Sequence, residues 1–277
     1  MRTARVGLSA WIPLIWFFTF LVGPILYLVV LSLAKKGLYG GVDWVFQFSN
    51  YERVANQLYL EIFLRSFQMA LLTTLFVLIL GVPLAWSIAT LKGAWKKICL
   101  FLVLAPFLMN LVVRVYSLKY LFSYDGPVQF LVRVFGFQLD QYQLSQNQYL
   151  VFWGMVTTYL PFAVFPLLVA FEKLNYDQIE ACEDMGASSM MTLWKVILPQ
   201  VRPALASGSL MVLVPSFGEF LIPDMLGGAK TMLAGNLITE QFLKNRDWPF
   251  GASLSVILIL LLGLCAYFIH RWGRIRV

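Results

Sequence analysis

Charge is scarce in this chain: 13% of its 277 residues are Asp, Glu, Lys or Arg, and it holds one histidine and three cysteines. Each scarcity excludes something. With His270 as the lone histidine there is no HExxH helix for a metalloprotease. Ser209 follows Gly208, but no histidine lies near it to serve as a base, so a serine hydrolase has no support. Cys99 and Cys265 sit inside apolar runs and Cys182 falls in a loop expected in the cytoplasm, so no disulfide framework is expected. A P-loop is missing too. The nearest approach, Leu226-Gly227-Gly228-Ala229-Lys230-Thr231, lacks the glycine before lysine, so any ATP chemistry belongs to another chain.

What is present is hydrocarbon. Hydrophobic residues make up 60% of the chain and aromatics 16%, with a mean hydropathy of +0.76, far from a soluble domain. Uncharged runs of 29 residues (Val6–Ala34), 26 (Ser66–Leu91), 31 (Gln141–Phe171) and 22 (Trp248–Ile269) each suffice to cross about 30 Å of bilayer. Two shorter runs, Ile98–Val113 and Pro203–Gly218, become full spans once Arg114 and Glu219 are included. The chain is therefore an all-α membrane protein, one domain over 1–277, with six spans at about 8–33, 63–91, 98–122, 148–171, 203–224 and 248–270.

An even number of spans puts both termini on one side. Arg2 and Arg5 before the first span, Lys92, Lys96 and Lys97 in the short second link, and Arg271, Arg274 and Arg276 at the end mark that side as cytoplasmic. The first span starts like a signal peptide but is too long and lacks a small-x-small cleavage site, so it reads as a retained anchor. Basic residues along membrane edges explain the net charge of +7, and no nucleic-acid partner is needed. Prolines inside spans, Pro83, Pro106, Pro161, Pro166 and Pro215, each remove a backbone hydrogen bond and invite a kink.

One cytoplasmic loop, 172–202, is long, and it holds Glu180–Pro199, EACEDMGASSMMTLWKVILP. Asn175 with Gln178 three residues on is a capping-box variant, Gly186 supplies a left-handed stop, and Ser188 caps a second helix. In that helix Met190, Leu193, Trp194 and Ile197 recur at helical spacing, and Pro199 is expected to close it before the next span. A metal or acid/base site built on Glu180, Glu183 and Asp184 lacks converging ligands. A solvated loop would need neither caps nor an apolar stripe. A knob that plugs into another protein needs both.

The order Glu180-Ala181-Cys182, three residues, Gly186, nine residues, Val196, one residue, Leu198-Pro199 resembles the EAA loop of ATP-binding-cassette importer permeases. It departs from EAA, three, G, nine, I, one, LP at Cys182 and Val196. The resemblance implies a type I importer with the MetI-like permease fold, whose coupling helix docks into a groove of a cytoplasmic ATPase. Glu180, Ala181 and Gly186 would then lie at the contact, with Cys182, Glu183, Asp184, Leu198 and Pro199 completing the coupling element.

On the outer side, a span starting near Pro203 places Glu219 about 24 Å along and Asp224 about 31 Å along, at the mouth. Pro215 and Pro223 bracket Glu219, so a broken helix with free carbonyls is expected there. Two carboxylates suit a cation, and pairing of Glu219 with Arg114 is the alternative. Asn110, Arg114 and Ser117 fall at i, i+4 and i+7 of the third span, Asn110 near the midplane. Trp153, Tyr159, Phe162 and Phe217 are candidates to offer ring faces to an ammonium group. The segment Ser216–Gly228, SFGEFLIPDMLGG, followed by Asn245–Gly251, NRDWPFG, resembles the spermidine/putrescine importer permeases, in particular the first of their two paired permease subunits. That resemblance implies a second permease, two ATP-binding subunits that hold ATP and Mg, an extracytoplasmic polyamine-binding protein and no cofactor in this chain. Other readings remain: a permease for another small solute, or a secondary transporter or channel with no ATPase.

Overall fold

The computed structural model describes residues 11–123, 125–135, 147–228 and 231–274. Arg2, Arg5, Lys230 and Arg276, used above, lie outside the described residues. The chain opens with α1 (Trp11–Phe17), α2 (Gly23–Ser32), a hairpin of β1 (Lys35–Lys36) and β2 (Val42–Asp43), and α3 (Ser49–Val54). Then come α4 (Gln57–Thr90), α5 (Gly93–Leu108), α6 (Leu111–Leu121), α7 (Pro127–Val134) and α8 (Gln148–Glu172). They are followed by α9 (Tyr176–Asp184), α10 (Ser189–Thr192), α11 (Leu198–Phe217), α12 (Leu221–Leu226), α13 (Ala234–Leu243) and α14 (Trp248–Gly273). Pro13–Ser32, Gln57–Thr90, Gln148–Glu172, Ser189–Phe217 and Trp248–Gly273 are long and apolar enough to cross a membrane, and α5 with α6 makes a sixth if that bent pair is one span.

Two compact units emerge: Met1–Glu61 with Leu237–Leu261, and Ile62–Asn236 with Leu262–Val277. In the first, α1 runs into α2 through a π-turn at Phe18–Val22, where the Gly23 N–H reaches back to the Phe18 carbonyl. Pro24 follows immediately and has no N–H to give, so the ladder shifts by one residue instead of breaking. After α2, Asn50 donates to the carbonyls of Ser32 (2.9 Å) and Ala34 (2.8 Å), and the Ser32 and Tyr51 hydroxyls meet at 2.6 Å. These bonds satisfy the helix end and hold the hairpin onto it.

Asp247 gathers this unit. Its carboxylate is almost wholly buried, accepts from Arg53 at 3.0 Å, lies 4.0 Å from Lys36, and caps α14 by accepting from the Phe250 N–H at 3.3 Å. The Arg53 guanidinium also stacks over the Phe250 ring, 3.9 Å from its centre. A buried carboxylate persists only with partners of this kind.

In the second unit α8 is the most enclosed helix, with Val151, Met155, Ala163, Val164 and Leu167 fully buried. Helices in a bilayer gain little from expelling lipid, so close packing does the work. Gly208 on α11 permits it: a Cβ there would lie 3.5 Å from the Ala163 Cα, and one on Gly81 of α4 would meet Ala163 and Val164 at 3.7 Å. Of the five intraspan prolines, Pro83, Pro161 and Pro166 sit well within continuous helices, whereas Pro106 and Pro215 each stand two residues before a break.

That break divides the stretch expected as the third span into two helices. α5 and α6 meet at 97°, with Met109 extended and Asn110 capping α6 by accepting from the Val112 N–H at 2.8 Å. The turn strands the last carbonyls of α5, and Arg114 answers them: its guanidinium donates to the Pro106 carbonyl and, at 3.3 Å, to that of Met109. The charge that interrupts this apolar run is thus a helix cap folded back from the next helix. It makes no ion pair with Glu219, which has other partners described below, so that alternative is set aside.

Candidate functional site

Two places concentrate polar chemistry in the second unit: the turn after α8 and the break after α11. The turn begins where α8 ends, with Glu172 held 2.7 Å from Lys96 of α5. α9 follows and closes in a complete Schellman motif: Gly186, at φ +79°, sends its N–H to Glu183 (2.9 Å), and Ala187 sends its own to Cys182 (3.0 Å). Ser188 then caps α10 by accepting from Met191 at 3.3 Å. The expected stop at Gly186 and the expected start at Ser188 are therefore in place.

Two details differ from expectation. The capping box at Asn175 does not form; Gln200 of α11 takes its place, accepting from the Asn175 N–H at 3.4 Å and donating to Gln178 at 3.2 Å. The substitution ties the start of α9 to the first turn of α11. Pro199 does not end the second helix either. A π-turn at Leu193–Ile197 absorbs the N–H that Pro199 lacks, with Leu198 bonding back to Leu193, so Ser189–Phe217 runs on without interruption. A push on α10 is a push on the whole fifth span.

The surface of this element is apolar at its tip and acidic beside it. Met185, Met190 and Trp194 are well exposed, whereas Ile197 turns inward. Glu180, Ala181, Glu183, Asp184, Gly186 and Pro199 are exposed, while Cys182 and Leu198 are half-buried. None of the three carboxylates is engaged in an ion pair, and among the described residues no three His, Cys, Asp or Glu side chains converge.

At the other end of α11, the helix stops at Phe217 and restarts at Leu221. Glu219 fills the gap. It is buried, and its Oε1 accepts the N–H groups of Phe220 (3.1 Å), Leu221 (2.9 Å) and Ile222 (3.2 Å), while its Oε2 accepts from the Tyr159 hydroxyl of α8. The first donors of α12 and its positive dipole end are thereby satisfied by one carboxylate. Of the carbonyls expected to be free here, that of Phe220 is taken by Asn236 Nδ2 at 2.7 Å. Gly235 makes this approach possible, since a Cβ on it would fall 2.4 Å from the Gly218 carbonyl oxygen.

The other pathway candidates are spread. Asp224, on α12, is exposed and makes no ion pair. Phe217 is buried against Phe63 and Phe67, with centroids 6.5 and 5.7 Å away. Trp153 is half exposed beside Phe76 and Phe152, Phe162 packs edge-on with Phe107, and Asn110 sits exposed at the bend. Tyr159 and Glu219 are the pair that the fold joins directly. The Lys96–Glu172 pair and Gln200 were not singled out from sequence; each is a polar side chain at a helix end, which is the one trace they leave there.

A bundle of apolar helices with a broken third span and a capped helix-turn-helix feeding straight into the fifth is the architecture of a binding-protein-dependent importer permease. The chain belongs to that family, the binding-protein-dependent transport system inner membrane components, which it matches over residues 6–276. It is 37% identical over 260 residues to the spermidine/putrescine transport system permease protein PotB of Salmonella typhimurium (strain SL1344), covering 94% of this chain and 91% of the relative. To the protein of the same description in Escherichia coli (strain K12) it is 36% identical, covering 94% of each chain. A bacterial ABC transporter structure involved in the import of the acidic polysaccharide alginate shares the fold, with a TM-score of 0.77 at 15% identity, covering 95% of this chain and 92% of that one. The chain is therefore a multi-pass inner-membrane permease subunit of a multi-subunit importer and not an enzyme. The secondary-transporter reading is thereby set aside.

Proposed function

We propose that this permease carries polyamines, spermidine or putrescine, as half of a translocation path shared with a second permease. Two copies of an ATP-binding subunit, which hold ATP and Mg, drive it from the cytoplasm, where both termini lie, and an extracytoplasmic polyamine-binding protein delivers the solute. The observation that carries this reading is the 37% identity to a spermidine/putrescine permease, spread over 94% of the chain. The coupling element is α9 to α10, with Glu180, Ala181, Cys182, Glu183, Asp184, Gly186, Leu198 and Pro199 forming the contact and its root. Its exposed Met185, Met190 and Trp194 supply apolar grip, and the unpaired carboxylates orient the docking.

Along the solute path we place Asn110, Trp153, Tyr159, Phe217, Glu219 and Asp224. Asp224 is the open carboxylate, able to meet an ammonium group. Glu219 and Tyr159 shape the path by fixing the break between α11 and α12, and Phe217 and Trp153 line the helices beside it. Uptake of labelled putrescine and spermidine in a strain dependent on this chain tests the reading. Saturable uptake of at least one, lost when the chain is deleted, is expected. Uptake of neither, with an amino acid, sulfate or an iron chelate transported instead, would overturn the polyamine assignment while leaving the permease role standing.

A further inference from the structure

The hairpin of β1 and β2 in the first unit has no part in coupling or in the solute path. Leu38 and Tyr39 form its tip and are each 93% exposed, and Trp44, Val45, Phe46 and Phe48, on the segment leading from β2 to α3, are exposed as well. Six large apolar side chains within eleven residues are thus left uncovered, yet the backbone that carries them is pinned at both ends. At the base, the Gln47 N–H donates to the Leu33 carbonyl at 2.7 Å. At the tip, the Gly41 N–H donates to the Arg246 carbonyl at 3.0 Å. Gly40, at φ +92°, makes that contact possible, since a Cβ on it would lie 2.9 Å from the Arg246 Cβ.

These two anchor points fix the level at which the hairpin lies. Leu33 directly follows Ser32, where the first apolar span ends, and Arg246 stands two residues before Trp248, where the last one begins. A segment tied at its base to the close of one span and at its tip to the opening of another lies along the bilayer surface. That is the level at which Trp and Tyr concentrate in membrane proteins. From Pro13 to Val30 the preceding span has no buried side chain, so exposed apolar surface extends along the chain from that span through the hairpin. Single exposed apolar residues need no explanation, but a run of this size marks an interaction surface. We infer that the hairpin is an interfacial anchor: Leu38, Tyr39, Trp44, Phe46 and Phe48 dip into the headgroup and upper acyl region of the leaflet at which the first span ends. On the orientation proposed above, that is the outer leaflet. Lipid, and not the extracytoplasmic binding protein, then covers this surface. The Tyr39 hydroxyl and the Trp44 indole N–H suit such a boundary, where one end of a ring is wet and the other apolar.

Nitroxide labels placed through Tyr39→Cys and Phe46→Cys test this in the transporter complex in lipid nanodiscs, with the three native cysteines replaced by serine. Collision rates are measured with oxygen, which partitions into lipid, and with a water-soluble nickel chelate. The oxygen-to-nickel ratio is expected to be at least about threefold higher at both positions than at Asp43→Cys, the exposed carboxylate of the same hairpin, and unchanged by the extracytoplasmic binding protein. All three side chains are exposed, so the variants keep the packing of the parent. Ratios at 39 and 46 equal to that at 43 would overturn the proposal. So would loss of collisions with both reagents when the binding protein is added, which would make the hairpin its docking surface. Polyamine uptake, or its absence, bears on the proposed function alone.

Discussion

Gly186→Val is expected to cut ATP-driven uptake at least about tenfold while leaving the amount of permease in the membrane unchanged, because an L-residue held left-handed costs roughly 1–2 kcal/mol. A β-branched side chain makes that cost larger. Gly186 sits at φ +79° and donates one of the two Schellman hydrogen bonds that close α9, Ala187 donating the other. No heavy atom lies within 4 Å of where its Cβ would be, so the penalty is purely one of backbone conformation. A graded series follows: Asn, which tolerates the left-handed region, is expected to transport nearly as well as glycine, Ala less, and Val least. Steric blockage of the ATPase groove would instead rank the residues by size, with Asn impaired beyond Ala. Normal uptake in the Val variant would remove the turn from the coupling mechanism.

Glu219→Ala is expected to act through the fold. It strands the N–H groups of Phe220, Leu221 and Ile222 together with the Tyr159 hydroxyl, the last two of them buried and the first two partly so. Each buried donor left without an acceptor costs about 1–3 kcal/mol, and allowing for rearrangement and entering water the total is about 3 kcal/mol or more. Glu219→Gln keeps an acceptor oxygen for the three N–H groups and is expected to lose less than half as much. Asp224 is exposed and makes no ion pair, so thermal unfolding of Asp224→Asn is expected to match the parent while polyamine uptake falls. Unfolding temperatures in detergent, set beside uptake, separate these cases. An unaltered unfolding temperature in Glu219→Ala would show that the carboxylate does not hold the break.

Much of the architecture is written in short-range patterns. Uncharged runs pointed to the long apolar helices, and Gly186 and Ser188 marked the turn between α9 and α10 because capping chemistry depends on residues only a few positions apart. What escaped detection depends on residues far apart in sequence. Arg114 looked like a charge on a continuous helix, yet it caps a helix that ends before it, a fact that becomes visible only once the chain bends by 97°. Glu219 stood out as a charge in an apolar run, but its partners are the Tyr159 hydroxyl and backbone groups freed by a break whose position the sequence did not specify. Gln200 displaced the local capping box at Asn175 because tertiary packing brought a better-placed amide. Pro199 failed to stop its helix because a π-turn at Leu193–Ile197 takes up the N–H that it lacks and lets the helix continue.

Motion of the motor reaches the bundle, in this scheme, through α9 and the turn at Gly186 into α10, which continues into α11 without interruption. The native cysteine at position 182 lies in that element and is half-buried. With Cys99 and Cys265 replaced by serine, the rate of maleimide labelling at Cys182 can be compared between the isolated permease and the assembled transporter in its ATP-free state. Strong protection on assembly, relieved when the ATP-binding subunits are stripped away, is the expected result. Equal labelling in both states would mean that nothing covers the turn, and that it does not transmit the motor's stroke.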